Sequence, residues 1–240
     1  MSGATGTSDL SQLHRTYLRH LTLPHPQVAS RSLASASVRR GLAKGEAWAQ
    51  TTLKAWTELE TTWLKQPERV WIWSDLHLFH ANILRYTPRP SPNLDQMHAQ
   101  LLSQACACVG DGDWLLFLGD VSLGSPEDTE AWLAQCPGRK ALILGNHDVD
   151  RQKLQRWPQV WSHFEAIASM VAWPAPGEQG SLWLSHYPWL KSHLPAGVIN
   201  VHGHLHQHVL EGPYVNVSVE QQGLAPRRLM DRLRAFGPEG

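Results

Sequence analysis

Short apolar runs, each followed by polar residues, recur along the chain after Pro67. Five of these runs are predicted as buried strands, because continuous short runs of branched and aromatic residues are typical of strands that are covered on both faces. The segment from Asp95 to Val109 predicts a helix, and Ser125 followed by Pro126 predicts the start of another. Strands that alternate with helices favour an α/β architecture. The five predicted strands are Val70–Trp73, Trp114–Leu118, Ala141–Leu144, Leu182–Leu184 and Val198–Val201.

A different pattern precedes this alternation. Between Gly45 and Lys65 the apolar residues recur at helical spacing, and Pro67 ends the pattern. This segment is interpreted as an amphipathic helix whose apolar side packs on the main domain. The residues on that side are Trp48, Leu53, Trp56, Leu59 and Trp63.

Residues 1–45 form a basic arm, with six Lys and Arg side chains against one acidic residue, Asp9. An organellar transit peptide has this Arg-rich, Ser-rich composition. A mobile arm or a loosely packed helix is the favoured interpretation of the same composition. We therefore expect residues 1–66 to form a partly flexible arm with an amphipathic helix, and residues 67–240 to form the main domain.

Composition excludes several classes of protein. Lys+Arg 21 and Asp+Glu 21 balance, so the overall charge does not indicate nucleic-acid binding, although the basic arm could contribute to it. No apolar run approaches the length needed to cross a membrane, so no membrane partner is expected. Three cysteines do not make a disulfide framework, and they favour a reducing, cytoplasmic location. The pattern leaves the oligomeric state open.

Polar residues of one chemical kind follow all five predicted strands. In α/β sheets, ligands bind beyond the carboxyl ends of the strands, so these five segments are expected to converge. Carboxylate, amide and imidazole groups without a thiolate suit Mn²⁺, Fe or Zn²⁺. The segments are Ser74–His80, Gly119–Asp120, Gly145–Asp148, Ser185–Pro188 and His202–His206.

This ordered series resembles the calcineurin-like metallophosphoesterases, over about residues 70 to 220. The resemblance implies a two-sheet sandwich flanked by helices, here with an N-terminal helical extension, and a binuclear metal centre at the strand ends. The short spacers, the stretch Phe79–Ile83 and a strand over Asn216–Val219 are similar to the compact prokaryotic phosphoesterases. The motifs that carry the resemblance are Asp75-x-His77, Gly119-Asp120, Gly145-Asn146-His147-Asp148, His186 and Gly203-His204-x-His206.

The resemblance also implies a ligand for each position of the centre. Asp120 would bridge two divalent ions, with Mn²⁺ favoured and Fe or Zn²⁺ as alternatives. Two such ions and two carboxylates leave a net positive pocket, which suits a phosphate ester. One ion would be held by Asp75, His77 and His206, and the other by Asn146, His186 and His204.

Two residues of the third motif are candidates for catalysis. His147 is not needed as a ligand, so it is expected to protonate the leaving oxygen or neutralise its charge. Asp148 would either orient His147 or cap a following helix. His80, Asn82 and Arg85 follow the first motif closely enough to be candidates for substrate binding.

The expected reaction is hydrolysis of a phosphate ester by metal-activated hydroxide. The second Asp-Arg-Gly of the protein Ser/Thr phosphatases is absent after Asp120, and with it the arginines that grip a terminal phosphate. A phosphodiester is therefore the favoured substrate. A nuclease on single-stranded nucleic acid and a non-catalytic metal-binding scaffold are the alternatives.

Overall fold

The computed structural model describes residues 36–149, 158–175 and 180–236, except for the side chains at 36–48 and 158–159. The predicted basic arm therefore lies largely outside the described residues. Contacts divide the chain into two compact units, residues 1–50 and 51–240. The predicted boundary between residues 66 and 67 stays a prediction. Among the described residues, no helix is both long enough and apolar enough to cross a membrane.

All five predicted strands are confirmed within two β-sheets. The first sheet has the order β4-β3-β2-β1-β9, in which β1 to β4 are parallel and β9 is antiparallel to β1. Its strands are β1 (Val70–Trp73), β2 (Trp114–Phe117), β3 (Arg139–Ile143), β4 (Ala166–Ala168) and β9 (Arg227–Arg228).

The second sheet has the order β5-β6-β7-β8, with β5 antiparallel to β6 and the other pairs parallel. Helices flank the two sheets, as the resemblance implied. The strands of this sheet are β5 (Met170–Pro174), β6 (Ser181–Ser185), β7 (Val198–His202) and β8 (Tyr214–Asn216). The helices are α1 (Ala36–Lys65), α2 (Ile83–Tyr86), α3 (Leu94–Cys108), α4 (Pro126–Gln135), α5 (Pro158–Trp161) and α6 (Leu229–Arg234).

Alternate residues of β1 enter two separate hydrophobic cores, because successive side chains of a strand point to opposite faces. Trp71 and Trp73 pack with residues of α3 and α4. Val70 and Ile72 pack with buried residues of the second sheet, including Leu184. The first sheet is therefore covered on both faces, which explains why its strands are continuous apolar runs.

Helix α1 contributes part of its predicted apolar side to the core that the two sheets share. Trp56, Leu59 and Trp63 are buried there, and the Trp63 ring stacks on Trp173 with centroids 6.2 Å apart. The prediction that Leu53 belongs to this buried side is wrong, because its side chain is 67% exposed. The side chain of Trp48 lies outside the described residues.

The helices and the C-terminal strand differ in how closely they follow the sequence pattern. The predicted start of α4 is confirmed, since Ser125 Oγ accepts the backbone N–H of Asp128.

The predicted strand over Asn216–Val219 is wrong, because β8 ends at Asn216. There Asn216 Oδ1 accepts the N–H of Ser218, and a 3₁₀ turn over Val219–Gln221 follows. Between these two elements Ser218 forms an isolated bridge with Ser74, which follows β1 in the first sheet.

Candidate metal centre

The polar segments that follow five of the strands converge at one edge of the sandwich. Backbone hydrogen bonds join the first two of them, from Asp75 N to Gly119 O at 3.0 Å and from His77 N to Asp120 O at 3.0 Å. Side chains from these segments form three overlapping groups, and within each group the candidate ligand atoms lie within 4.8 Å of one another. The groups are Asp75, His77 and His206; His77, Asp120 and His147; and Asp120, His186 and His204.

Asp120 lies between imidazoles that belong to different groups. Its Oδ2 atom is 3.5 Å from Nε2 of His77 and 3.4 Å from Nε2 of His186. Its other oxygen, Oδ1, accepts the backbone N–H of His147 at 2.8 Å. Asn146 reaches the same place, with Oδ1 3.1 Å from Nε2 of His186. One carboxylate oxygen therefore faces two sets of candidate ligands.

The backbone of these segments is strained at the candidate ligands. Non-glycine residues with positive φ are uncommon and concentrate at functional sites, where each costs about 1–3 kcal/mol. The surrounding hydrogen bonds hold these residues in that conformation, which brings consecutive polar side chains to the same point. The residues with positive φ in this region are Asp75, His77, Phe79, Asp120, His204 and His206.

Two glycines allow the segments to approach closely. A Cβ atom at Gly203 would collide with Ser74 Oγ and with Asp75 Oδ2. Gly119 has φ of +86°, and a Cβ atom there would lie 2.6 Å from Nδ1 of His186. Both positions therefore require glycine, because any side chain would displace the candidate ligands.

Hydrogen bonding orients the His186 ring toward the centre. Nδ1 of His186 lies 2.7 Å from the carbonyl oxygen of Leu118, so Nε2 is the atom that faces Asp120. Burial opposes a charge on His186, but the neighbouring Asp120 carboxylate raises the pKa of the imidazole to about 10. The environment thus favours a positive charge at a point where a metal ion could replace the proton.

His204 and Asp75 have the protonation states that metal ligands need. Burial, together with the charge on His186, lowers the pKa of His204 to about 3, so its imidazole is neutral. Burial opposes ionisation of Asp75, but the neighbouring His77 imidazole and the charge on His186 hold its pKa well below the usual range. A neutral imidazole and an ionised carboxylate are both present.

Buried polar atoms without a partner indicate what is missing from the centre. Asp75 Oδ2 accepts hydrogen bonds from His204 N and Ser218 Oγ, whereas Asp75 Oδ1 has no hydrogen-bond partner among the described residues. The same holds for both ring nitrogens of His77 and for Nδ1 of His204. Such atoms are costly to bury unpaired, so the residues present fit a bound cation.

A comparison with known families identifies the fold and the class of chemistry. Residues 68–234 match the family described as Metallophos, the calcineurin-like phosphoesterases. The chain belongs to this family. This chain is therefore a metal-dependent hydrolase that acts on phosphoric ester bonds.

Relatives of this phosphoesterase occur in mycobacterial phages. The Gene 66 protein of Mycobacterium phage D29 is 30% identical over an alignment of 168 residues, which covers 61% of this chain and 83% of the phage protein. The Gene 66 protein of Mycobacterium phage L5 is 28% identical over an alignment of 169 residues, which covers 61% of this chain and 81% of that phage protein. The solved structure of AQ665, a protein of unknown function from Aquifex aeolicus, has the same fold. It superposes with a TM-score of 0.52 at 24% identity, covering 68% of this chain and 98% of that one.

The structure places the two candidate catalytic residues of the phosphoesterase in different surroundings. The His147 side chain is 39% exposed, and its Nε2 lies 3.9 Å from Asp120 Oδ2, so it faces both solvent and the centre. Asp148 is buried, and its carboxylate accepts the N–H groups of Asp120, Val121 and Gly145. Its oxygens hold two segments of the centre together, and the catalytic role expected for Asp148 stays a prediction.

Among the candidate substrate-binding residues, His80 lies beside the centre. The His80 ring is 5.5 Å from the His77 ring and 6.5 Å from the His147 ring, measured between centroids. Arg85 is exposed on α2, and Asn82 precedes that helix. Within residues 36–149, no described side-chain contact joins Asn82 or Arg85 to the candidate ligands.

Sequence reasoning missed three residues that contact the candidate ligands. Ser218 donates to Asp75, Glu220 lies 3.0 Å from His206 Nδ1, and Arg89 binds Glu220. The chain carries a weak signal for Ser218 alone, since it lies within the stretch Asn216–Val219 that resembles the compact phosphoesterases. Arg89 and Glu220 are ordinary charged residues in the sequence, and only the fold brings them together.

Proposed function

We propose that this phosphoesterase hydrolyses phosphodiesters at a centre of two divalent cations that share Asp120. The observation that carries the proposal is the position of Asp120 Oδ2, between Nε2 of His77 and Nε2 of His186. An oxygen at such a point can serve both sets of ligands. Its burial favours strong electrostatic interaction with cations.

The proposal assigns a ligand set to each cation. When bound, such ions supply Lewis acidity, which lowers the pKa of a water molecule and polarises phosphoryl oxygens. Asp75, His77 and His206 would hold one cation, and Asn146, His186 and His204 would hold the other.

His147 is the proposed proton donor to the leaving oxygen. Its exposed imidazole can exchange protons with solvent, and its backbone is fixed by the hydrogen bond from its N–H to Asp120 Oδ1. A positioned acid of this kind typically contributes about 10²–10⁴-fold to the rate. His80, Asn82 and Arg85 remain the proposed contacts to the rest of the substrate.

The preference for a diester rests on the arginines near the centre. A terminal phosphate dianion is usually gripped by arginine forks. The guanidinium of Arg89 is buried, and it donates to Glu220 and to the carbonyl oxygens of Asp75 and Leu76. It is therefore not offered to substrate, which supports a substrate of lower charge.

Mn²⁺ is the proposed metal, and the cytoplasm is the proposed location. The donor set consists of nitrogen and oxygen atoms only, which suits Mn²⁺, with Fe or Zn²⁺ as alternatives. Cys106, Cys108 and Cys136 are free thiols, which supports a reducing compartment.

The test compares bis-p-nitrophenyl phosphate with p-nitrophenyl phosphate as substrates of metal-free protein to which Mn²⁺ is added. We expect Mn²⁺-dependent hydrolysis with the higher kcat/KM for the diester. A higher value for the monoester would overturn the diester preference. If the protein cleaved a single-stranded oligonucleotide faster than it hydrolysed the nitrophenyl diester, the nuclease alternative would be favoured.

A matched pair of histidines provides the control for this assay. His204 belongs to a candidate ligand group, whereas His208 lies four residues later and is exposed. We expect His204→Ala to abolish Mn²⁺-dependent turnover and His208→Ala to retain it. Equal activity in the two variants would contradict the assigned site.

A further inference from the structure

A fully buried ion pair lies beside one half of the centre. The side chains of Arg89 and Glu220 are 0% and 1% exposed, although they are 131 residues apart in the sequence. Nε and Nη2 of Arg89 both donate to Glu220 Oε1, at 2.9 Å and 2.7 Å. Removing two charges from water is expensive, and such pairs add little stability over apolar groups. A gain in stability therefore does not explain why this pair is buried here.

The remaining donors of Arg89 fix the backbone of the first polar segment. Nη2 donates to the carbonyl oxygen of Asp75 at 2.6 Å, and Nη1 donates to that of Leu76 at 2.7 Å. Asp75 and His77 have φ of +60° and +49°, a conformation that non-glycine residues adopt only when their surroundings impose it. Arg89 provides such a constraint, because its hydrogen bonds fix the carbonyl groups of Asp75 and of Leu76, the residue between them.

Glu220 orients a candidate ligand directly. Its Oε1 atom lies 3.0 Å from Nδ1 of His206. A carboxylate can only accept, so Nδ1 of His206 carries the proton and Nε2 presents its lone pair. Metal-binding histidines commonly have such a carboxylate on the second ring nitrogen. Ser218 acts in parallel by donating to Asp75 Oδ2, which leaves Oδ1 for a cation.

We propose that Arg89 and Glu220 are positioning residues for one cation only, the one assigned to Asp75, His77 and His206. This inference rests on the proposed function, because it requires two separate cations. The other ligand set has its own support, since His186 is oriented by the carbonyl oxygen of Leu118. A defect in the buried pair should therefore act on one half of the centre.

The experiment measures Mn²⁺ binding to the full metal-free chain by equilibrium dialysis. Glu220→Gln keeps the size of the side chain and removes its charge. We expect the affinity for one of the two Mn²⁺ ions to fall about 10–100-fold, as is typical when such a partner is lost, and the affinity for the other to be unchanged. The control is Glu165→Gln, which removes the same charge from an exposed pair with Arg139 and should leave both affinities unchanged.

The outcomes separate this inference from the proposed function. Wild-type protein that binds fewer than two Mn²⁺ ions would contradict the proposed function. Wild-type protein with two ions, combined with a variant in which both affinities fall equally or neither falls, would overturn the positioning role of the pair.

Folding is checked by the unfolding midpoint of the metal-free variants. A second variant, Arg89→Met with Glu220→Leu, replaces the pair by apolar groups, which buried pairs often tolerate. We expect it to fold and to bind one ion weakly, and normal binding of two ions would overturn the proposal. If both variants fail to fold, histidine nitrogen NMR of the Zn²⁺-loaded wild type decides: the proposal requires a proton on Nδ1 of His206, and a proton on Nε2 refutes it.

Discussion

The buried carboxylate of Asp148 accepts the backbone N–H of Asp120 at 2.8 Å. The same oxygen, Oδ2, accepts the N–H of Gly145 at 2.8 Å, and Oδ1 accepts that of Val121 at 3.1 Å. One side chain thereby connects the segment that follows β2 with the segment that follows β3. Burial, together with the charge of Asp120, raises the pKa of Asp148, so the three N–H groups are what stabilise its ionised form.

The first prediction concerns Asp148→Asn. The amide has a single acceptor oxygen, so at least one of the three buried N–H groups would lose its partner, at a cost of about 1–3 kcal/mol in the free energy of unfolding. Urea unfolding of the metal-free protein measures this loss. Asp111→Asn, in an exposed turn, is the control and should leave stability unchanged. Lost turnover with full stability in Asp148→Asn would instead indicate a catalytic carboxylate.

The second prediction concerns His147→Asn. We expect this variant to keep its metal content and its kcat to fall about 10²–10⁴-fold, because the substitution removes a proton donor and leaves the metal ligands in place. The loss should be larger for an alkyl ester than for a nitrophenyl ester, because nitrophenolate leaves readily without a proton.

The contrary outcomes for His147 are distinct, since its Nε2 also lies within reach of the group that contains His77 and Asp120. An equal loss for all leaving groups would mean that His147 stabilises charge on the phosphoryl oxygens. Loss of bound metal in His147→Asn would mean that it is a ligand.

The third prediction tests the packing of α1. Trp63→Ala should lower the free energy of unfolding by about 3–5 kcal/mol, because a fully buried ring that stacks on Trp173 is removed. Its Nε1 also donates to the carbonyl oxygen of Pro174. Leu53→Ala on the same helix is the control, and as an exposed substitution it should change stability by at most about 0.5 kcal/mol. Comparable losses would show that both side chains are packed.

The strands and the convergence of their polar ends could be predicted because both are local features of the chain. A buried strand is a continuous apolar run, and the polar residues that matter follow it directly, as Asp75 follows β1 and Asp120 follows β2. Parallel strands then bring those ends to one edge of the sheet, whatever the details of the loops. The helical period likewise located α1.

Other features depend on contacts that the pattern does not encode. Helical periodicity identifies the apolar side of α1 but not how far its partner surface extends, so Leu53 was placed wrongly. The strand predicted over Asn216–Val219 ends at Asn216, because the chain then crosses to the first sheet, where Ser218 bridges Ser74. The pairing of Arg89 with Glu220 joins distant parts of the chain, and neither residue carries a local signal for burial.

The proposed role of Asp120 is to join two cations in one centre. It is measured by elemental analysis of protein loaded with Mn²⁺ and then dialysed, for the wild type, Asp120→Asn and the control Asp111→Asn. We expect two ions per chain in the wild type and in the control. In Asp120→Asn both ions should be lost together, because a neutral amide bridges poorly and leaves less negative charge between two cations. Two tightly held ions and unchanged activity in Asp120→Asn would contradict this role.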